Sequence, residues 1–229
     1  MRLHRFYLST SISEETFDIA DRDLIHQWRT VFRYNVGSQV ILFDGSGVDY
    51  TCIISSLRNL GATLSVVEKK EVSFKPKRNI WLCMALIKKD NFELVVQKAT
   101  ELGVSHIVPV LCERSEKKNI NMDRLYKIAV EASEQSGRGD IPVIYEVTTV
   151  SDALEETSMP VKKILLNFDG KPLTLDNFDD LAILIGPEGG WSERELKVFT
   201  GNNVSSASLG TQVLRAETAA IAVSSLLLL

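Results

Sequence analysis

The feature that most constrains the fold is an alternation of short apolar runs with helical patterns over the last two thirds of the chain. The apolar runs are bounded by turn residues and lie at 80–87, 106–111, 142–147, 163–168, 181–185 and 204–209. Helical patterns lie between and after them, at 91–102, 122–136, 151–157, 193–199 and 216–229. Gly103 and Gly137 stand at the C′ positions of two of these helices, and Ser192 with Glu195 forms a capping box. Because parallel strands need crossover connections of this kind, the alternation predicts an α/β domain with a mostly parallel sheet and helices on both faces.

The first third of the chain has a different pattern. Runs rich in Val, Ile and Thr predict strands at 3–8, 38–43, 49–57 and 62–68, and one helical pattern covers 21–34. Several short strands with a single helix predict a small barrel-like domain over residues 1–72. The charged segment 71–79, which contains Pro76, reads as a linker, and residues 73–229 form the second domain.

The charges are distributed unevenly along the chain. The 229 residues include 26 Lys and Arg against 30 Asp and Glu, and the formal charge of −4 excludes a uniformly basic surface. Residues 1–74 carry 8 basic and 9 acidic side chains, 75–140 carry 12 and 9, and 141–229 carry 6 and 12. A face for nucleic acid is therefore expected from the first domain and from segment 75–140.

Other sequence signals exclude several classes. The basic N-terminus runs into no long apolar stretch, so we expect no signal peptide. The most apolar segment, 218–229, is shorter than the roughly 20 residues that span a bilayer. The three cysteines, Cys52, Cys83 and Cys112, are odd in number and have gaps of 31 and 29 residues, which fit neither a disulfide framework nor a zinc motif. We expect a cytoplasmic protein with buried thiols, no membrane partner and no metal site.

Two loops that follow predicted strands carry unusual residues. The strand at 181–185 ends in Gly186-Pro187-Glu188-Gly189-Gly190, where ligands bind in open parallel sheets. This loop matches neither the dinucleotide fingerprint nor the P-loop. The alternative interpretation is a tight strand-to-helix turn that merely needs glycine.

The second loop follows the strand at 204–209 and places Arg215 and Glu217 among small and apolar residues. A charge in such surroundings is either paired or functional. The alternative is that both residues anchor the start of the last helix, where an acidic side chain complements the helix dipole.

Several stretches together resemble one family. They are Ile-Gly-Pro-Glu-Gly-Gly-Trp-Ser at 185–192, the Val-Leu-Arg-Ala-Glu-Thr-Ala run at 213–219 that follows Leu-Gly at 209–210, and the segments 97–104, 113–115 and 131–138. In this combination the sequence resembles the SPOUT methyltransferases. It is most similar to the RsmE family, the bacterial small-subunit ribosomal RNA uridine-N3 methyltransferases, over nearly the whole chain.

The resemblance implies a fold that periodicity does not show. It implies an N-terminal PUA-like β-barrel followed by a SPOUT α/β domain with a parallel sheet and a deep trefoil knot, which binds S-adenosyl-L-methionine. The residues implied to bind this cofactor are Leu166, Ile185, Gly186, Glu188, Gly189, Gly190, Leu209, Gly210, Val213 and Leu214. It also implies a homodimer formed through the knot region and the C-terminal helix.

The implied reaction is methylation of N3 of uracil 1498 in 16S rRNA of the small ribosomal subunit. Arg215 is the candidate for stabilising negative charge on the uracil, and Glu188 or Glu217 for accepting the N3 proton. The candidate RNA-binding residues, each with surface charge as its alternative, are Arg5, Arg29, Arg33, Lys88, Lys89, Arg114 and Arg138.

Two other functions remain open from the sequence. One is an RNA-binding or ribosome-assembly factor without turnover, and cofactor binding discriminates it from the enzyme. The other is a SPOUT methyltransferase for another rRNA or tRNA base, and mapping of the methylated base discriminates that one.

Overall fold

The computed structural model describes residues 3–72, 76, 78–156, 158–174 and 180–229. The chain divides into two compact units, one formed by Met1–Lys75 with Ser133–Asp140 and the other by Pro76–Ala132 with Ile141–Leu229. Within the predicted linker, residues 73–75 and 77 lie outside the described residues, as does Thr157 at the end of a predicted helix.

The first unit contains a five-stranded sheet in the order β1-β3-β4-β5-β2. The β1–β3 pair is parallel, and the remaining neighbours are antiparallel. Its elements are β1 (Arg5–Tyr7), β2 (Thr16–Ile19), α1 (Arg22–Thr30), β3 (Gln39–Phe43), β4 (Val48–Leu57) and β5 (Ala62–Glu71). The sequence did not predict β2, because this four-residue edge strand buries only Ile19 fully and so lacks a clear apolar pattern.

Helix α1 is shorter than predicted. The Asp21 side chain accepts hydrogen bonds from the first-turn N–H groups of Asp23 and Leu24, which fixes the start. The helix ends at Thr30 instead of Tyr34, because Arg33 takes a left-handed conformation with φ of 54°. The helix packs Trp28 against Phe6 in the core of this unit, with ring centroids 5.4 Å apart.

Two of the predicted RNA-binding arginines are buried in the first unit. The side chain of Arg5 is 7% exposed, lies 2.6 Å from an Asp49 carboxylate oxygen, and donates to the carbonyls of Ser133 and Arg138 at 3.0 and 3.1 Å. Arg138 is 2% exposed and donates from Nε to Asp140 at 2.7 Å. The expectation of exposed phosphate-binding side chains at these two positions is therefore corrected: Arg5 holds segment 133–140 in this unit, and Arg138 is buried beside Asp140 within that segment.

The second unit is an α/β domain whose strands pair only in parallel within the described residues. The order is β12-β10-β11-β6-β7-β8, with β9 also on β7. This confirms the predicted parallel sheet. Its strands are β6 (Asn79–Ala85), β7 (His106–Leu111), β8 (Val143–Ile144), β9 (Thr148–Thr149), β10 (Lys163–Pro172), β11 (Asp180–Ile185) and β12 (Ser205–Ser208). Its helices are α2 (Lys89–Leu102), α3 (Met122–Ser136), α4 (Val150–Glu155), α5 (Glu193–Gly201) and α6 (Ala216–Leu228), with the last residues of α3 in the first unit.

The predicted strand at 142–147 is replaced by the two short strands β8 and β9. The Ile107 carbonyl faces this edge, where it accepts a hydrogen bond from the Tyr145 N–H. Position 109 faces the same way, and its proline has no N–H to donate, so the ladder is interrupted there.

Helices cover both faces of the sheet, as predicted. Residues alternate along β6, so that Leu82 packs with residues of α2, α3 and α6, and Cys83 packs with residues of α4 and α5. Helix α6 buries Ala220, Val223 and Leu227 in this core. The three cysteines are buried and free, and burial raises the pKa of each thiol to about 12. Among the described residues, no helix has the length and apolar character to span a membrane, and no cluster of three or more His, Cys, Asp or Glu side chains suits a metal ion.

Candidate functional site

A cleft of about 380 Å³ lies at the ends of β11 and β12 and beside β10, which stands between them in the sheet. It is lined by the loops after β11 and β12, by an interrupted stretch within β10 and by the first residues of α6. The lining comprises Leu166, Asn167, Phe168, Ile185, Gly186, Pro187, Glu188, Gly190, Trp191, Ala207, Ser208, Leu209, Gln212, Val213, Leu214, Arg215, Ala216 and Ala219. Most of these residues are apolar or present backbone groups, which is typical of a small-molecule pocket.

The three glycines of the loop at 186–190 are favoured for two reasons, close contacts at two positions and a positive φ at the third. A Cβ on Gly186 would lie 2.9 Å from the Trp191 indole, and one on Gly189 would lie 3.2 Å from the Arg114 Cβ. Gly190 has φ of 69°, which favours glycine, and donates to the Pro187 carbonyl at 2.8 Å. The contacts that a Cβ would meet at Gly186 and Gly189 are with protein side chains.

The loop after β12 is fixed by Ser208. Its hydroxyl donates to the Gly210 carbonyl at 2.8 Å and accepts from the Gly210 N–H at 3.2 Å. The carbonyl of Ser208 also accepts from the Leu173 N–H at 2.9 Å, which ties this loop to the end of β10. These hydrogen bonds anchor residues 208–210, where the segment that leads to Arg215 begins.

One wall of the cleft, formed by Leu166, Asn167 and Phe168, comes from an irregularity in β10. Both Leu166 and Lys171 pair with Ala207 of β12, so residues 167–170 leave the ladder between them. Trp191 donates from Nε1 to the Leu166 carbonyl at 3.3 Å, which joins this wall to the glycine loop. Sequence reasoning missed Asn167 and Phe168, although the Asp169-Gly170 pair that follows them is a signal for an interruption.

Most of the predicted cofactor-binding residues line the cleft. The exceptions are Gly189 and Gly210, which lie in the same loops but outside the lining. Of the charged candidates, Glu188 and Arg215 line the cleft and are exposed. Within the described chain, neither of these two side chains has a hydrogen-bond or ion-pair partner, so both are available to a ligand.

Glu217 does not line the cleft, which corrects its assignment as a proton acceptor there. It lies in the first turn of α6 and is 8% exposed. Its Oε1 accepts from the Asn91 amide at 3.2 Å, and among the described residues its Oε2 has no hydrogen-bond partner. Its position agrees with the alternative interpretation, in which the carboxylate complements the helix dipole.

The remaining predicted RNA-binding residues are exposed. In the first unit, Arg29 donates to the Asn59 side chain, and Arg33 projects from its left-handed backbone. In the second unit, Lys88 is the N-cap of α2, and Lys89 lies 3.6 Å from the Glu93 carboxylate. Arg114 donates from Nη1 to the Gly189 carbonyl at 2.9 Å.

Two buried side chains outside the cleft lining are a carboxylate, Glu195, and a thiol, Cys112. Glu195, 5% exposed, accepts from the Ser192 N–H at 2.7 Å, completing the predicted capping box of α5. Burial, with the nearby Glu195 carboxylate as a smaller cause, raises the pKa of the Cys112 thiol to about 12. Neither group lines the cleft, so the thiol is not a candidate nucleophile.

A parallel sheet whose adjoining strand ends build a glycine-containing cleft defines an α/β protein with a small-molecule site at the carboxyl edge. Residues 74–228 match the family described as the RNA methyltransferase domain. The chain is 31% identical over 234 residues to ribosomal RNA small subunit methyltransferase E of Rickettsia conorii, covering 96% of this chain and 93% of that one. It is 28% identical over 221 residues to the protein of the same name from Bacillus subtilis, covering 89% and 86%.

Solved structures agree over almost the full length. A methyltransferase from Legionella pneumophila in complex with the bound cofactor SAM superposes with a TM-score of 0.89 at 29% identity, covering 99% of this chain and 97% of that one. Ribosomal RNA small subunit methyltransferase E from Neisseria gonorrhoeae, bound to S-adenosyl methionine, gives 0.88 at 27% identity, covering 98% and 96%. This chain therefore belongs to the RNA methyltransferase family and, within it, to the small-subunit ribosomal RNA methyltransferase E (RsmE) family.

Proposed function

We propose that this chain transfers the methyl group of S-adenosylmethionine to N3 of a uridine, the one numbered 1498, in 16S rRNA. The cleft carries the proposal, because it brings both family motifs, at 185–192 and 209–219, to one place. We place the reaction in the cytoplasm, where ribosomal subunits are assembled.

The cleft suits the cofactor in volume and in chemistry. A volume of about 380 Å³ falls within the roughly 300–1,000 Å³ of small-molecule pockets. The residues proposed to hold the cofactor are the predicted cofactor-binding residues that line the cleft, namely Leu166, Ile185, Gly186, Glu188, Gly190, Leu209, Val213 and Leu214. Gly189 and Gly210 support these residues from within the same loops.

The bound cofactor supplies an electrophilic methyl group on a sulfonium. The residues of this chain must hold the uracil in line with that group and manage the N3 proton. The exposed Arg215 guanidinium stabilises negative charge on the uracil carbonyls. Glu188 accepts the N3 proton, because it is the carboxylate that lines the cleft while Glu217 is buried elsewhere.

The direct test uses small ribosomal subunits that lack native modifications. The protein and labelled S-adenosylmethionine are incubated with them, and the methylated base is then mapped. Label at N3 of one uridine supports the proposal. Label on another base or on transfer RNA supports the other methyltransferase interpretation, and the absence of both cofactor binding and transfer supports an assembly factor.

We further propose that the five-stranded unit, residues 1–72, is a PUA-like β-barrel that binds RNA, and that residues 73–229 contain a trefoil knot. The knot is proposed from the family resemblance, and the strand order is compatible with it, because β12 returns to the far side of β10 after β11 and α5 have intervened. Stretching the chain by its ends tests it, since a tightened knot leaves the extended chain shorter than an unknotted one.

We also propose a homodimer formed through α6 and the knot region. Ala219, Ile221 and Ala222 are only partly buried, Leu226 is 53% exposed, and Val213 in the preceding loop is 82% exposed. Exposed apolar side chains on and beside one helix are typical of an interface. Light scattering at micromolar concentration should give a dimer mass, and L226E should shift the protein toward the monomer.

The RNA-binding residues that remain are Arg29 and Arg33 in the first unit and Lys88, Lys89 and Arg114 in the second. All five are exposed, and phosphate contacts need exposed cations. Their binding should weaken with added salt, because each neutralised phosphate releases counterions. RNA affinity that does not change with salt would contradict this assignment.

A further inference from the structure

Residues 112–115 follow β7 and do not line the cleft, yet they contact the loop that does. They form a small turn of their own, in which the Ser115 N–H donates to the Cys112 carbonyl at 3.1 Å and the Ser115 hydroxyl accepts from the Cys112 N–H at 3.2 Å. Two side chains then tie this turn to the glycine loop and to the start of α5.

The first tie is Arg114. Its Nη1 donates to the Gly189 carbonyl at 2.9 Å, and the absence of a Cβ on Gly189 lets the arginine stem pack against the loop. The next N–H in the loop, that of Gly190, donates to the Pro187 carbonyl at 2.8 Å. The peptide between Gly189 and Gly190 is thus held at both its oxygen and its nitrogen.

The second tie is Glu195. One carboxylate oxygen accepts from the Glu113 N–H at 2.9 Å, and the other accepts from the Ser192 N–H at 2.7 Å. The buried carboxylate therefore joins the turn at 112–115 to the N-terminus of α5, where the glycine loop ends. With both ends of the loop restrained, Arg114 fixes its middle.

The guanidinium of Arg114 is exposed, and only one of its five N–H donors has a partner among the described residues. The remaining donors point to an anion, and phosphate oxygens suit the planar arginine fork. We propose that Arg114 is a positioning residue that couples RNA to the cofactor: one donor fixes the Gly189 carbonyl while the others bind an RNA phosphate. This inference rests on the proposed function.

Coupling of this kind is reciprocal. If a bound phosphate orders the Arg114 side chain, it also orders the glycine loop, so RNA tightens binding of S-adenosylmethionine by the same factor as the cofactor tightens binding of RNA. Lysine at this position carries the charge but lacks the planar fork, so R114K should keep RNA binding and lose most of the coupling.

The test compares R114A and R114K with the wild type and with R194A. Arg194 is a matched control, because it is an exposed arginine whose described partner is the Glu113 carboxylate at 3.9 Å. Cofactor affinity is measured by equilibrium dialysis with and without saturating unmodified 16S rRNA. Hydrogen exchange of the Gly190 amide is measured in the free protein.

We expect R114A to weaken cofactor binding without RNA by about tenfold, to abolish the tightening by RNA, and to speed exchange at Gly190. R194A should match the wild type in all three. Wild-type cofactor affinity or wild-type exchange in R114A overturns the inference, as does a wild-type protein whose cofactor affinity RNA does not change. Failure of the proposed function is distinct, because the wild type itself would then leave N3 of uridine in 16S rRNA unmethylated.

Discussion

Substitution of Gly186 by alanine tests the packing that shapes the cleft. The added Cβ would lie 2.9 Å from Cε2, 3.1 Å from Nε1 and 3.2 Å from Cδ2 of the Trp191 indole. The indole cannot easily move away, because it is buried, donates to the Leu166 carbonyl at 3.3 Å and packs edge-on against Phe199 at 4.8 Å. Either the ring or the loop must shift.

The expected cost follows from these contacts. Insertion of one methyl group into a tightly packed site destabilises a protein by about 1–3 kcal/mol, and a cost of about 2 kcal/mol lowers the melting temperature of a chain of this length by roughly 4–8 °C. Since Trp191 and Leu166 both line the cleft, we also expect the dissociation constant of S-adenosylmethionine to rise about tenfold.

Thermal unfolding and cofactor titration of G186A measure both effects, with G201A as the control. A Cβ on Gly201, the last residue of α5, would have nothing within 4 Å. G201A should therefore be neutral or slightly stabilising. If G186A melts at the wild-type temperature and binds the cofactor with wild-type affinity, the argument from the Trp191 contact is refuted.

Three further predictions concern charges and thiols. R215A should leave the free energy of unfolding within about 0.5 kcal/mol of the wild type and lower the rate of methyl transfer by roughly 10²–10³-fold, as measured by denaturant unfolding and single-turnover assays; an unchanged rate would exclude its electrostatic role. R5A should destabilise the protein by about 3–5 kcal/mol in urea unfolding, because it leaves Asp49 without its buried partner, whereas a surface arginine would cost almost nothing. Burial raises the pKa of the Cys83 thiol from 9.0 to about 12. Between these two pH values the unfolded chain binds fewer protons than the folded chain, so the free energy of unfolding should fall as pH rises. The Cys83 thiol contributes up to about 1.4 kcal/mol per pH unit to this fall, and the C83A variant should lose that contribution.

The sequence predicted the elements that have strong periodicity and the loops that have unusual composition. The parallel sheet, the capping box of Ser192 and Glu195 and the two loops at the cleft all depend on local patterns, which is why they could be found. Arg5 and Arg138 could not be assigned in this way. Arg5 is buried against groups far away in the sequence, namely the Asp49 carboxylate and the carbonyls of Ser133 and Arg138. Arg138 contacts the nearby Asp140, but its burial depends on the fold around segment 133–140, so in the sequence either arginine looks the same as an exposed one.

The same limit explains Glu217 and the missed residues of the cleft. Arg215 and Glu217 are two positions apart, but a helix begins between them, so only Arg215 lines the cleft while Glu217 contacts Asn91 of α2. Trp191 looks like an ordinary core aromatic in the sequence, and its contact with Gly186 and its hydrogen bond to the Leu166 carbonyl show that it shapes the ligand site. Both depend on contacts in the tertiary structure, so the local sequence carries no signal for them.

The excess of acidic residues in the last segment of the chain does not extend to the residues that line the cleft. Segment 141–229 carries twice as many acidic as basic side chains, yet the charged residues that line the cleft are one of each, Glu188 and Arg215. If Glu188 accepts the N3 proton, E188Q should lower kcat by roughly 10²–10⁴-fold, while E193Q, at an exposed acid on α5, should not. Raising the pH should narrow the E188Q deficit, because uridine then loses its N3 proton to solvent without a protein base. A deficit that stays constant with pH would show that the Glu188 carboxylate positions the substrates and does not accept the proton.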